Sequence, residues 1–184
     1  MLRRGYLGTN TVLAAATLLG LTLAAGFSAC ADEPTRPAES AEEAALSPGV
    51  NVYLTLDNEA ATPGSHITVT GKVRAVGVEL TPTGYFVDLL YDPEKLEPVA
   101  AATLDDEVLR AINLEAGPGL VKAAGAAANG LKSDVLFELE MKVKAEGYAD
   151  GLEVQVHELT VLEKNFMDVS PDVVIPPQAV IVSR

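Results

Sequence analysis

Gly84-Tyr85-Phe86-Val87-Asp88-Leu89-Leu90-Tyr91-Asp92-Pro93-Glu94-Lys95-Leu96 is the stretch on which the fold of this 184-residue chain is read. Tyr85, Val87, Leu89 and Tyr91 recur at a period of two, the spacing that sends side chains to one face of a pleated strand. That face belongs in a core. The opposite face carries Gly84, Phe86, Asp88 and Leu90, in which two bulky apolar groups flank one carboxylate. It is too apolar to be plain surface. Pro93 lacks an amide hydrogen and Asp92 is suited to hydrogen-bond the amides just beyond it, so the strand stops and turns there.

Working outward, Val50, Val52, Leu54 and Leu56 alternate with Asn51, Tyr53, Thr55 and Asp57, which predicts a half-buried first strand. Thr62-Pro63-Gly64 is a turn, and Ile67, Val69 and Val73 make a second strand with Gly71 as a bulge. After the central strand, Leu96 to Leu104 reads as another short strand. Asp105-Asp106-Glu107 ahead of Val108, Leu109 and Ile112 has the acidic start of a short helix. The same three acids lack the spaced oxygen ligands and glycine of a calcium loop, so no metal or other cofactor is expected.

Gly119 to Asn129 is open between the helix its alanines favour and a strand of small residues. Val135, Phe137, Leu139, Met141 and Val143 alternate with Leu136, Glu138, Glu140, Lys142 and Lys144, the clearest period-two pattern in the chain. Leu152, Val154 and Val156 continue it, then Leu159 and Val161. Val173 to Ile175 and Val180 to Val182 close the domain, with Pro176-Pro177 marking an edge or a break. About nine short strands, with room for one short helix, imply an all-β two-sheet sandwich.

The N-terminal quarter has a different character. Arg3 and Arg4, an apolar run from Val12 to Ala25, and small residues leading into Cys30 give the three-part layout of a secretory signal over residues 1–29. Phe27-Ser28-Ala29-Cys30 resembles the lipobox of bacterial lipoproteins, with Phe27 where leucine is usual. That resemblance implies an exported chain anchored to the membrane of the cell envelope through lipid on Cys30. The competing reading is ordinary cleavage at Ala29-Cys30-Ala31, which discards the thiol. Residues 30–49 are rich in Ala, Glu, Pro and Ser, the composition of a flexible acidic spacer. The folded domain spans 50–184.

Charge excludes one class of partner. The formal net charge is -13, and -15 once the two leader arginines are subtracted; a field of that sign repels nucleic acid. The single cysteine precludes an intrachain disulfide. His66 and His157 form no zinc pattern, and no nucleophile elbow or phosphate loop is present. Glu138 and Glu140 share a strand face as glycosidase acids do, but alternation with Lys142 and Lys144 makes a solvated ladder. The domain reads as a non-enzyme.

The alternating run closed by Tyr91-Asp92-Pro93-x-x-Leu96 resembles the third strand and exit turn of cohesin domains, the jelly-roll sandwiches that receive dockerins in cellulosome-type assemblies. The Pro63-Gly64 turn resembles their opening, and Leu136-Phe137-x-Leu139-x-x-Lys142-Val143 resembles their sixth strand. The resemblance covers nearly all of 50–184, and it favours a strand in 119–129. It implies a protein partner of dockerin type held on one open sheet face built from the third, fifth and sixth strands. Transferred to this sequence, the face presents Phe86, Asp88 and Leu90 together with Leu136, Glu138 and Glu140. One departure matters: counted back from Tyr91-Asp92-Pro93, the Asn and Asp of type I cohesins are replaced by Gly84 and Phe86. Either a more apolar dockerin or use of the fold for another surface interaction is implied.

Direct polysaccharide binding is the alternative, since related sandwiches are carbohydrate-binding modules. Sugar rings are received on exposed aromatic platforms. There is no Trp, and Tyr53, Tyr148 and Phe86 are the remaining candidates.

Overall fold

The structure, a computed structural model, describes residues 46–104, 107–176 and 180–182, which fall in one compact unit, Arg36–Arg184. The leader, Cys30, most of the spacer, and Asp105 and Asp106 lie outside the described residues. The strands are β1 (Gly49–Leu56), β2 (His66–Val76), β3 (Pro82–Leu90), β4 (Leu96–Ala101), β5 (Leu109–Gly117), β6 (Leu120–Ala126), β7 (Val135–Val143), β8 (Glu153–Val161), β9 (Met167–Asp168), β10 (Val173–Val174) and β11 (Val180–Val182). They form a six-stranded sheet in the order β10-β1-β2-β7-β4, with β11 also beside β1, and a five-stranded sheet in the order β5-β6-β3-β8-β9. The expected all-β sandwich is what the chain builds.

Each long strand contributes its alternate residues to one core. β1 gives Val52, Leu54 and Leu56, β2 gives Ile67 and Val69, β3 gives Tyr85, Val87 and Leu89, and β7 gives Phe137, Leu139, Met141 and Val143. Each such side chain moves ~1.5–3 kcal/mol worth of apolar surface out of water. The central strand therefore sits as its periodicity requires. Asp92 ends it as expected, its Oδ1 accepting from the Glu94 amide at 2.9 Å.

Gly71 marks a register shift between β2 and β7, as its place in the pattern suggested. A Cβ there would overlap the Phe137 ring, so the bulge also seats an aromatic side chain. The two terminal strands flank Pro176 and run parallel to β1, with Val50 opposite Val173 and Leu54 opposite Val180.

Three expectations need correcting. β1 is not half-buried: Asn51, Tyr53 and Thr55 are covered as fully as the core side. The Asn51 amide folds back instead of facing water, donating to the Ser47 carbonyl at 2.7 Å. The short helix after Glu107 is absent, since Leu109–Gly117 is the extended edge strand β5. Helical geometry among the described residues is confined to 3-10 turns at Ala149–Gly151 and Ser170–Asp172.

The third concerns the proposed binding face. β3 lies in the five-stranded sheet and β7 in the six-stranded one, so the six residues named for it do not share a surface. Recognising β5 as a strand makes Val135–Val143 the seventh, not the sixth. Leu136 is fully buried in the core, and its carbonyl accepts from the Tyr85 hydroxyl and from Arg110 Nε, the latter at 2.9 Å.

Candidate functional site

The outer face of the five-stranded sheet is set by the register of its strands. Across β5, β6, β3 and β8 one row reads Ala111, Ala124, Phe86 and Glu158, and the neighbouring row along β6, β3 and β8 reads Ala126, Gly84 and Thr160. Small residues pave the middle of the sheet. Phe86 is half-buried among them, and Leu109 at the rim is 81% exposed. Two shallow depressions result, of about 610 and 260 Å³, which share Phe86 and Ala124.

Along the same face, Asp88 is buried and does not stand at a solvated rim. Its Oδ2 lies 3.3 Å from Lys122 Nζ and 2.9 Å from His157 Nε2. Its Oδ1 is buried with no hydrogen-bond partner. Lys122 Nζ also stands 5.2 Å from the Phe86 ring centre, within cation–π range. The His157 ring is 5.0 Å from that of Phe86. These four side chains make one packed cluster, in which Lys122 and His157 cover the carboxylate from water.

The cluster depends on an irregularity in β8. Phe86 pairs with Glu158 and Val87 with Val156, so His157 is an extra residue in the ladder. His157 and Glu158 therefore both point outward, and the inward series passes from Val154 and Val156 to Leu159 and Val161. The sequence carried that signal as a break in parity. His157 looked like an ordinary exposed strand residue because its partner, Asp88, is 69 positions away in the chain.

Leu90 lies half-buried at the far end of the face, paired with Leu120 and Glu153. Glu138 and Glu140 belong to the opposite side of the molecule. There they line a depression of about 310 Å³ with Asp57, His66 and Thr68, and Glu140 pairs with His66. Of the three aromatic candidates for a sugar platform, Tyr53 and Tyr148 are buried in the interior. Only Phe86 remains on a surface.

Among the described residues, no helix is long and apolar enough to cross a membrane.

Comparison with solved structures decides which sandwich this is. A type II cohesin domain from the cellulosome of Acetivibrio cellulolyticus aligns with a TM-score of 0.53 at 14% identity, over 72% of this chain and 94% of its own. The domain has a cohesin-like fold. The seventh ScaB type I cohesin of Pseudobacteroides cellulosolvens aligns equally well, with a TM-score of 0.53 at 15% identity over 74% of this chain and 94% of its own. So does a type I cohesin–dockerin complex from Clostridium thermocellum, with a TM-score of 0.53 at 12% identity over 74% and 95%. No protein-family model and no curated protein matches the sequence. With the strands recounted, the third, fifth and sixth strands of this cohesin-like domain are β3, β5 and β6, which stand side by side in one sheet.

Proposed function

We propose that this chain is a non-enzymatic, cohesin-type module that docks a dockerin-like protein on the outer face of β5-β6-β3-β8. One observation carries the reading. That face is a broad, alanine-paved surface with Phe86 at its centre and Leu109 exposed at its rim. Desolvated apolar anchors surrounded by polar groups are what protein interfaces use for affinity. Phe86 and Leu90 are the retained anchors of the original six residues. Asp88 acts beneath them, by holding Lys122 and His157 against Phe86.

The replacement of the type I Asn and Asp by Gly84 and Phe86 favours an apolar dockerin over a hydrogen-bonding one. The module works outside the cytoplasm, in the setting of polysaccharide binding or degradation. It is held at the envelope by lipid on Cys30, with residues 30–49 as its spacer.

A panel of purified type I and type II dockerins, titrated into the protein by calorimetry, tests the reading. Binding at micromolar Kd or tighter, lost on Phe86→Ala, is the expected result. Absence of binding to every dockerin, with retention on insoluble polysaccharide that Phe86→Ala abolishes, would replace this reading with direct glycan recognition. Intact mass of the membrane-extracted protein tests the anchor: a chain beginning at Cys30 with added acyl mass supports it, and an unmodified chain beginning at Asp32 refutes it.

A further inference from the structure

Three large apolar side chains stand exposed in one hairpin. Leu162 and Phe166, in the turn between β8 and β9, and Met167 at the start of β9 are 41%, 52% and 63% exposed. The turn places two consecutive residues in the left-handed region, Asn165 at φ 59° and Phe166 at φ 61°. Asparagine tolerates that conformation, whereas a bulky side chain there is strained.

The turn is nonetheless firmly built. The Phe166 amide donates to the Val161 carbonyl at 3.0 Å and the Asn165 amide to that of Leu162 at 2.9 Å. The Glu163 carboxylate accepts from the Thr81 amide at 2.7 Å and its hydroxyl at 2.6 Å. Asp168 accepts from the amides of Leu159 and Ser170 at 3.0 and 2.8 Å. A phenylalanine in the left-handed region is thus fixed with half its surface in water.

What the ring does contribute is a wall. Phe166 lines the 610 Å³ depression together with Phe86, Leu109, Ala124, Ala126 and Glu158. Aromatic groups bound a floor of side chains too small to fill it, so the bulk must come from the occupant. Glu158 is the charged residue in that lining, and the chain carries a net charge of -13, which repels a second copy and attracts a basic rim.

We propose that Phe166 is a specificity-determining anchor, forming with Phe86 a slot for a bulky apolar side chain of the partner while Glu158 receives a basic residue beside it. This rests on the dockerin-type reading above and adds the chemistry of the contact.

The test uses the full-length chain and the tightest-binding dockerin of the panel. Phe166→Asn keeps a residue suited to the left-handed turn but removes the ring, so the urea midpoint stays at or above that of the parent. Affinity is expected to fall roughly tenfold or more, the loss typical of an interface anchor. Glu158→Lys should weaken binding and flatten its salt dependence. Wild-type affinity in Phe166→Asn would overturn the anchor while leaving the docking face intact. Absence of any dockerin binding by the parent would overturn both. A concentration-dependent dimer in sedimentation that Phe166→Asn dissolves would also overturn the proposal, by making the occupant a second copy of this chain.

Discussion

His157 Nε2 lies 2.9 Å from Asp88 Oδ2, joining a bulged residue of β8 to a buried carboxylate of β3. The other carboxylate oxygen is buried without a partner, whereas the side chains of Lys122 and His157 remain 40% and 43% exposed. Removing the carboxylate would thus leave an ammonium and an imidazole that water can still reach, and would abolish one uncompensated polar atom. Asp88→Leu is expected to keep unfolding stability within about 1 kcal/mol of the parent, while partner affinity drops because Lys122 and His157 lose their seat. A urea denaturation series read beside the dockerin titration checks this, and a loss of stability well above that margin would contradict it.

Gly125 lies directly beneath Tyr85, where an added Cβ would overlap the tyrosine ring. That ring cannot easily retreat, because its hydroxyl is hydrogen-bonded to the Leu136 carbonyl. Gly125→Ala is expected to cost about 1–3 kcal/mol by overpacking. A urea midpoint unchanged by the substitution would refute the tight fit.

Tyr148, in the connection between β7 and β8, holds the loop after β1. Its hydroxyl donates to the Asn58 carbonyl at 2.7 Å and accepts from the Ala61 amide at 3.0 Å. Asn58 is exposed, but Ala61 is buried, so its amide would go unpaired. Tyr148→Phe should destabilise by about 1–3 kcal/mol. It should leave glycan retention unaltered if the ring is structural, and an effect on glycan alone would reverse that assignment.

Acid should loosen the Phe166 hairpin by a specific route. Hydrogen bonds from the Thr81 hydroxyl and amide hold the Glu163 carboxyl below its ordinary value, and those from the amides of Ser170 and Leu159 do the same for Asp168. A depressed folded-state pKa contributes stability that is present above the unfolded value and lost as pH falls through the folded one. The hairpin contacts should therefore be complete at neutral pH and fade below about pH 4. Thr81 and Leu159 amide proton shifts should titrate with midpoints under those of unstructured Glu and Asp peptides, and Glu163→Gln should remove the Thr81 transition. Midpoints at ordinary values would contradict the bonding described.

Much of the sandwich was legible in the sequence because its long strands alternate cleanly. Tyr85, Val87 and Leu89 are buried where the period of two puts them, and Asp92-Pro93 ends the strand. β5 was not legible. Its inward positions include Arg110, whose guanidinium reaches the carbonyls of Leu136 and Val135 at 2.9 and 3.1 Å, while Leu109 faces water. An inward cation and an outward leucine invert the pattern, and the adjacent acids imitate a helix start. Missing that strand displaced the count by one and carried Leu136, Glu138 and Glu140 onto a face they do not share with Phe86. Lys122, Ala124 and Phe166 went unnoticed for a related reason: what joins them to the site is cross-strand distance, which no local spacing encodes.

The extra residue at His157 also bears on how such a face can diversify. Losing one residue from a strand ordinarily exchanges inside for outside from that point on. Here a chain shortened by His157 alone would bring Val156 and Glu158 into succession, opposite Val87 and Phe86 as they already are. β8 thus has a position where length can vary without turning its core side outward, and the presence or absence of one imidazole over the central carboxylate becomes a heritable choice of surface chemistry on an unchanged scaffold.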